Sequence, residues 1–309
     1  MEPLNTMLMN KNGLAAMELS RQLLTFDVGA KIPTVTQFSE ALRLSRGTLQ
    51  NGIKMLQQFG AITLEARGHL GTFLTGVNYK KLLEVAGIHS LVGVMPLPYS
   101  RHYEGLATGL ISSFEQSQKG LAMNLAYMRG ANNRVGMLLD GRYDFAVMSK
   151  LAARHHIEQG APIQIAVELG LGSFLSSHII VFHDKDATAI TDGMKVGIDY
   201  DSIDHCQLTR QHCAGHYVTF VRLMYSQLVD KIVSGEIDAA IWNKDEISDK
   251  HPNINWTIID QPSNDDTVAV LVADKNKPEL CSLIHNIICP EEVLRIQHMV
   301  ESQQMLPNY

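Results

Sequence analysis

Guanidinium, ammonium and hydroxyl groups are the side chains that hold phosphate and carboxylate oxygens, the guanidinium through two parallel N–H donors. The sequence carries them in two places. Arg43, Ser45, Arg46, Thr48, Lys54 and Arg67 fall close together near the N-terminus, while Ser100, Arg101, Arg129, Ser149, Lys150, Ser202 and Lys244 are spread through the rest of the chain. A third set, His205, Cys206, His212, Cys213 and His216, has metal-ligating types, but its spacing matches no zinc pattern. The four cysteines form no CxxC pair and read as reduced thiols. P-loop, GxGxxG, HExxH and GxSxG sequences do not occur, and no nucleophile stands beside an evident base. Neither an enzyme, a cofactor nor a bound metal is therefore expected. Asp265 and Asp266 sit among Pro, Ser and Asn and read as a solvated turn.

The elements that position the first set follow from periodicity and caps. Leu14, Met17, Leu19, Leu23, Leu24 and Phe26 recur near helical spacing and predict a helix over 13–26, ended by Asp27 to Lys31. Thr34 and Gln37 fit a capping box, so a second helix runs from Val35 to Leu42. Ser45 is the N-cap of a third, with Leu44 against Leu49 as a hydrophobic staple, Ile53, Leu56 and Phe59 continuing the apolar face and Gly60 stopping it. Two short helices joined by a tight turn make a helix-turn-helix. Ala61–Leu64 and Thr72–Thr75 alternate like strands around Arg67-Gly68-His69-Leu70-Gly71, which predicts a wing.

The net charge of −6 is unevenly divided. Residues 1–80 hold eight Lys or Arg against five Asp or Glu, a surplus of three, and the remainder is nine charges negative. A basic head on an acidic body suits a protein that presents one face to phosphates.

Ile32-Pro33-Thr34, Ser45-Arg46-Gly47-Thr48, Leu56-x-x-Phe59-Gly60-Ala61-Ile62 and Arg67-Gly68-x-x-Gly71-Thr72-Phe73, in this order, resemble the winged helix-turn-helix of the GntR superfamily of bacterial regulators. The resemblance implies that the helix from Ser45 enters the major groove, with Arg46 near bases or phosphates, and that Gly71 lets the wing approach the minor groove. The DNA-contacting set it implies is Arg43, Ser45, Arg46, Thr48, Gln50, Lys54, Arg67, His69 and Gly71. Thr36 and Gln50 stand where many members have arginine, which implies weaker grip or a different operator.

From Ser90 the pattern alternates between strand and helix. Leu91–Met95, Leu121–Met128 and Phe145–Met148 read as strands, and the Tyr103–Phe114 and Val135–Leu139 stretches as helices, which predicts a mainly parallel sheet. Leu138-x-x-Gly141-x-x-Asp144-Phe145-Ala146-Val147-Met148-Ser149-Lys150 is echoed by Ile232-x-x-Gly235-x-x-Asp238-Ala239-Ala240-Ile241-Trp242-Asn243-Lys244, suggesting two similar lobes. The cadence resembles the periplasmic-binding-protein type 2 fold. Behind a GntR-like head, the whole chain resembles the YhfZ family of regulators. The fold resemblance implies one lobe of about 90–172 plus 266–309 and another of about 173–265, with a ligand between them.

Open α/β sheets bind ligands beyond the carboxyl ends of their strands. The candidate ligand residues are therefore Tyr99, Ser100, Arg101, Arg129, Ser149, Lys150, Tyr200, Ser202, Trp242, Asn243 and Lys244. Their cations and hydroxyls favour a carboxylate or phosphate, although Lys150 and Lys244 read equally well as solvated lysines and Trp242 as core.

The expectation is an α/β chain with a winged helix-turn-helix head at 1–77, a linker at 78–89 and a two-lobed effector domain at 90–309. Met1–Asn12 has no leader pattern and no apolar run spans a bilayer, so a cytoplasmic protein is expected. The expected function is a transcriptional regulator that binds double-stranded operator DNA as a homodimer, without a membrane partner, under control of a small effector. The rival is an enzyme or solute-binding module with an accessory head.

Overall fold

In the computed structural model, which describes residues 10–117, 121–247, 254–259 and 264–309, the first helix is α1 (Lys11–Leu23). It starts earlier than the apolar spacing predicts, because Asn10 Oδ1 accepts the Gly13 N–H at 2.8 Å and supplies a cap that periodicity does not reveal. Residues 1–9, most of the stretch read for a leader, lie outside the described residues. Helix α2 (Val35–Leu42) opens on the predicted capping box: Gln37 N–H donates to Thr34 Oγ1 at 3.3 Å, and Thr34 N–H donates to Gln37 Oε1 at 2.8 Å. Arg43 turns the chain with φ 55°, and α3 (Arg46–Gln58) starts under Ser45, whose Oγ accepts the Thr48 N–H at 3.2 Å.

Helices α1 and α3 cross at Gly52, where a Cβ would lie 3.1 Å from Ala16 N and 3.2 Å from the Ala15 carbonyl carbon, so any larger residue would push the two backbones apart by a few tenths of an ångström. The wing is the antiparallel pair β1 (Ile62–Ala66) and β2 (Thr72–Val77). The segment before α2 pairs with β2, with Leu74 N–H donating to Ala30 O at 3.0 Å and Ile32 N–H to Thr72 O at 2.9 Å. Residues 78–89, the expected linker, hold α4 (Tyr79–Ala86), whose Leu82, Leu83 and Ala86 are buried. Arg21 Nε donates to Ala86 O at 3.1 Å, and Lys81 Nζ donates to Phe59 O at 2.8 Å, closing the last turn of α3.

A second compact unit contains two five-stranded sheets. The first lobe is formed by β3 (Ser90–Met95), α5 (Arg101–Gln116), β4 (Ala122–Tyr127), α6 (Ala131–Leu139), β5 (Phe145–Ser149), α7 (Lys150–Glu158) and β6 (Ile163–Glu168). The second is formed by β7 (His178–Phe182), β8 (Lys195–Ile198), α8 (Ile203–His212), β9 (Thr219–Arg222), α9 (Leu228–Val233), β10 (Ala239–Asn243) and β11 (Asn255–Ile258). The chain then returns through β12 (Ala269–Asp274), α10 (Pro278–Ile287) and α11 (Pro290–Glu301). Most of α10 joins the unit of the N-terminal helices, where Ser282 Oγ donates to Leu24 O at 3.1 Å.

Strand order is β4-β3-β5-β12-β6 in the first sheet and β11-β7-β10-β8-β9 in the second. Both are mixed rather than mainly parallel: β3 pairs parallel with β5 and β8 with β10 and β9, but β12 and β7 run antiparallel to their neighbours. These two reversed strands are the ones that follow the passages between lobes, which alternation within a lobe does not foretell. All five residues of β5, β7 and β10 are buried, each large aliphatic side chain contributing roughly 1.5–3 kcal/mol.

The repeated sequence has a shared physical basis. Asp144 Oδ2 accepts the Val92 N–H at 2.8 Å while Asp144 N–H donates to Val92 O at 2.8 Å. In the second sheet, Asp238 Oδ2 accepts the Lys195 N–H at 2.7 Å and Asp238 N–H donates to Lys195 O at 2.8 Å. Each aspartate therefore clamps the start of a parallel ladder, and Gly141 and Gly235, both at φ 73°, turn the preceding helix into it.

Candidate functional site

The head presents one face of α3 to solvent. Arg46, Gln50 and Lys54, four residues apart, are exposed together, while Leu49, Gly52 and Leu56 face the core. Arg43, Ser45 and Arg46 are exposed at the turn that starts the helix, and Thr48 is half-buried against the Ser45 hydroxyl at 2.8 Å. At the wing, Arg67 lies 4.4 Å over the Phe73 ring and donates to Glu65 Oε2 at 2.8 Å, so its guanidinium is held flat along the hairpin. His69 is exposed at the tip, and Gly71 takes φ 100° with the Lys31 side chain packed against it.

In the body, the carboxyl ends of β4, β5, β8 and β10 meet around a cavity of about 130 Å³. Of the expected ligand residues, Tyr99, Arg129, Ser149, Ser202 and Asn243 line it. The others do not. Ser100 caps α5, accepting the Tyr103 N–H at 3.4 Å, and Arg101 is exposed on that helix. Lys150 Nζ donates to Glu168 Oε2 at 2.8 Å, and Lys244 lies 5.6 Å from the Trp256 ring. Trp242 is buried and stacked on Tyr225, with centroids 4.1 Å apart, while Tyr200 stands between Arg210 and Arg222, each 5.8 Å away.

Arg129 Nη2 donates to Asp199 Oδ2, an ion pair that ties β4 of one lobe to the end of β8 in the other. Asp199 is 2% exposed and is fully engaged, also accepting Asp201 N–H at 3.0 Å and Tyr225 N–H at 2.7 Å. Ser149 Oγ donates to Asp204 Oδ1 at 2.8 Å and accepts the Ala152 N–H at 3.0 Å, so it too links the lobes while capping α7. Burial pushes the Asp204 carboxyl up to about 6.

Several lining residues were not singled out from sequence. Arg134 is the main one. It is 4% exposed, its Nη1 donates to Met128 O at 2.9 Å, and its buried Nε has no partner among the described residues. No ion pair offsets it there, and burial lowers its pKa to about 10, which still leaves a cation at neutral pH. Its signal was in the sequence: Ala131, Arg134, Val135 and Leu138 form the buried stripe of α6, so an arginine occupies an apolar position.

His178 carries no such signal, whereas the sequence reads His205 as a metal-ligating type and Asp266 as part of a solvated turn. Asp266, expected in a solvated turn, is 2% exposed and pairs with His178 Nδ1 at 2.6 Å, because the chain re-enters the first lobe at this point. Its neighbour Asp265 accepts from Arg154. The His and Cys residues around α8 are dispersed. His205 Nδ1 accepts the Asp199 N–H at 3.1 Å and Nε2 donates to Ile241 O at 3.0 Å. Burial lowers its pKa to about 4, so it is neutral and fixes the Asp199 loop. Burial also pushes the Cys213 thiol up to about 11, and His216 faces Asp192 at 3.4 Å.

A family model described as the YhfZ C-terminal domain matches residues 78–309, and one described as a helix-turn-helix domain matches 27–74. The chain belongs to the YhfZ family. YhfZ of Escherichia coli (strain K12) is 32% identical over 305 residues, covering 97% of this chain and 98% of that protein. The crystal structure of YhfZ from Shigella flexneri is 32% identical, with a TM-score of 0.61 over 75% of this chain and 98% of that one. The periplasmic aliphatic sulphonate binding protein SsuA of Escherichia coli is 14% identical, with a TM-score of 0.51 over 69% of this chain and 74% of that one. The periplasmic VFT2 domain of Bordetella pertussis BvgS, also 14% identical, has a TM-score of 0.51 over 71% and 96%.

The architecture is thus a helix-turn-helix region followed by a two-lobed domain similar to periplasmic-binding-protein type 2 folds. The helix-turn-helix domain and the YhfZ relationship fit a DNA-binding regulator. Among the described residues, no helix is long and apolar enough to cross a membrane.

Proposed function

We propose that this YhfZ-family chain is a cytoplasmic transcriptional regulator whose operator binding is modulated by a small anionic ligand in the cavity of its body. The observation that carries the reading is Arg134. A buried guanidinium without a carboxylate partner is costly, and its place in the wall of a cavity gives that cost a use as an anion receptor. The helix N-termini at Ala131 and Ile203 add backbone N–H donors to the same wall.

On the DNA side, the GntR-like docking mode places Ser45, Arg46, Thr48, Gln50 and Lys54 in the major groove and Arg67, His69 and Gly71 at the flank, with Arg43 near the backbone. The exposed face of α3 supports this assignment. Two heads on two half-sites make the homodimer the expected form. Because Arg129–Asp199 and Ser149–Asp204 join the lobes around the cavity, ligand that alters these contacts changes how the lobes close.

The enzyme reading meets one obstacle in the geometry. His178 and Asp266 form a buried dyad, yet among the described residues no Ser, Thr or Cys side chain hydrogen-bonds His178. To test the proposal, the affinity of the full chain for its selected DNA site is measured with and without a low-molecular-mass cell extract, alongside Arg134→Met. The expected result is an extract-dependent change in the wild-type chain that Arg134→Met lacks. An equal response in both would remove Arg134 from effector recognition.

A further inference from the structure

The cavity wall holds opposite charges, not all of which pair with one another. Arg129 and Asp199 satisfy each other, but Arg134 from the first lobe has no ion pair among the described residues. From the second lobe, Asp204 uses Oδ1 for the Ser149 hydroxyl, and its Oδ2 receives no donor among the described residues. Asp201 places an exposed carboxylate at the rim, and Glu246, 8% exposed, lines the interior and accepts from Asn243 Nδ2 at 3.5 Å. Arg134 and Asp204 both line the cavity, and among the described residues no ion pair joins them.

A ligand with negative charge alone would satisfy Arg134 while facing Asp201, Asp204 and Glu246 across a low-dielectric space, and a simple cation would leave Arg134 buried and unpaired. We infer that the effector is a small zwitterion, an amino-bearing acid whose anionic group sits on Arg134 and whose protonated amine sits on Asp204. This rests on the proposed ligand site and narrows its chemistry. The same arrangement spans the two lobes, so such a ligand bridges them through its two ends.

The test uses matched probes that share an anion and differ in the amine: β-alanine against propionate, taurine against ethanesulfonate, and phosphoethanolamine against ethyl phosphate. Binding to the full-length protein is measured by titration calorimetry. In at least one pair the amine-bearing probe is expected to bind tenfold or more tightly than its partner. Asp204→Asn should bring the two members of that pair within about twofold of each other, and Arg134→Met should abolish binding of both. If Asp204→Asn does not fold, Glu246→Gln is expected to narrow the same difference. Equal or tighter binding of the amine-free member in every pair overturns the zwitterion while leaving an anionic effector standing. Binding by none of the six probes overturns both.

Discussion

Replacing Arg134 with methionine should make the ligand-free protein more stable, because it removes a charge that the fold buries without a counter-ion. Burial lowers the guanidinium from 12.5 to about 10, and at about 1.4 kcal/mol per unit this represents roughly 3 kcal/mol of desolvation cost. Against it stands the 2.9 Å bond from Nη1 to Met128 O, worth roughly 1.5–3 kcal/mol as a charged hydrogen bond. Methionine is flexible and apolar, and the site already abuts Ala131, Val135 and Leu138. The net is a gain of about 1 kcal/mol. For a domain the size of this body, that amounts to a rise of about 2–4 °C in its melting transition, measured by scanning calorimetry without ligand. A fall of several degrees would refute the reasoning, since it would show that Arg134 is a structural tether and not a receptor awaiting an anion.

Arg46→Ala should weaken operator binding by about 1–3 kcal/mol if the arginine reads a base, with an unchanged circular dichroism spectrum; equal affinity in gel-shift titrations would take it out of the interface. Gly52→Ala should destabilise the head by about 1–3 kcal/mol despite alanine's better helix propensity, since the new methyl meets the Ala15 and Ala16 backbone; unaltered urea unfolding of the head would show that α1 yields easily. Asp204→Asn should expose an acid sensitivity. His205, at about 4 in the fold against 6.5, contributes stability that is lost as pH falls from 6.5 towards 4, whereas Asp204, at about 6 against 3.8, adds stability as pH falls from 6 towards 3.8. Each is worth about 3 kcal/mol with opposite sign, so the wild-type profile is nearly level between pH 7 and 4 as far as these two groups decide it. Chemical denaturation of Asp204→Asn should lose about 3 kcal/mol over that range, and parallel profiles for the two proteins would contradict the assignment.

The head was readable because its signals are local. Thr34 with Gln37 and Ser45 with Thr48 each act within one turn, and the α3 face repeats at helical spacing. The repeated Gly-x-x-Asp-strand pattern was readable for the same reason, although the partners of Asp144 and Asp238 lie far along the chain. The cavity was legible only in part. Its position beyond strand ends brought Arg129, Ser149, Ser202 and Asn243 into view, but the lysines beside the two caps turn away, Lys150 to Glu168 and Lys244 to Trp256. His178 and Asp266 meet across 88 positions, a separation no spacing rule reaches. Arg134 could have been found from its place on the apolar stripe of α6. The mixed sheets escaped because β7 and β12 take their direction from the passages between lobes.

Whether the head reads DNA sequence decides the proposed function. The most direct measurement is selection of genomic DNA fragments by the purified full-length protein at two salt concentrations, since phosphate contacts weaken with salt and base contacts carry the discrimination. Recovery of an inverted-repeat site that persists at the higher salt and is lost with Arg46→Ala is the expected result. Recovery that is indifferent to sequence and disappears with salt would contradict it, and would move the search for function to the cavity of the body.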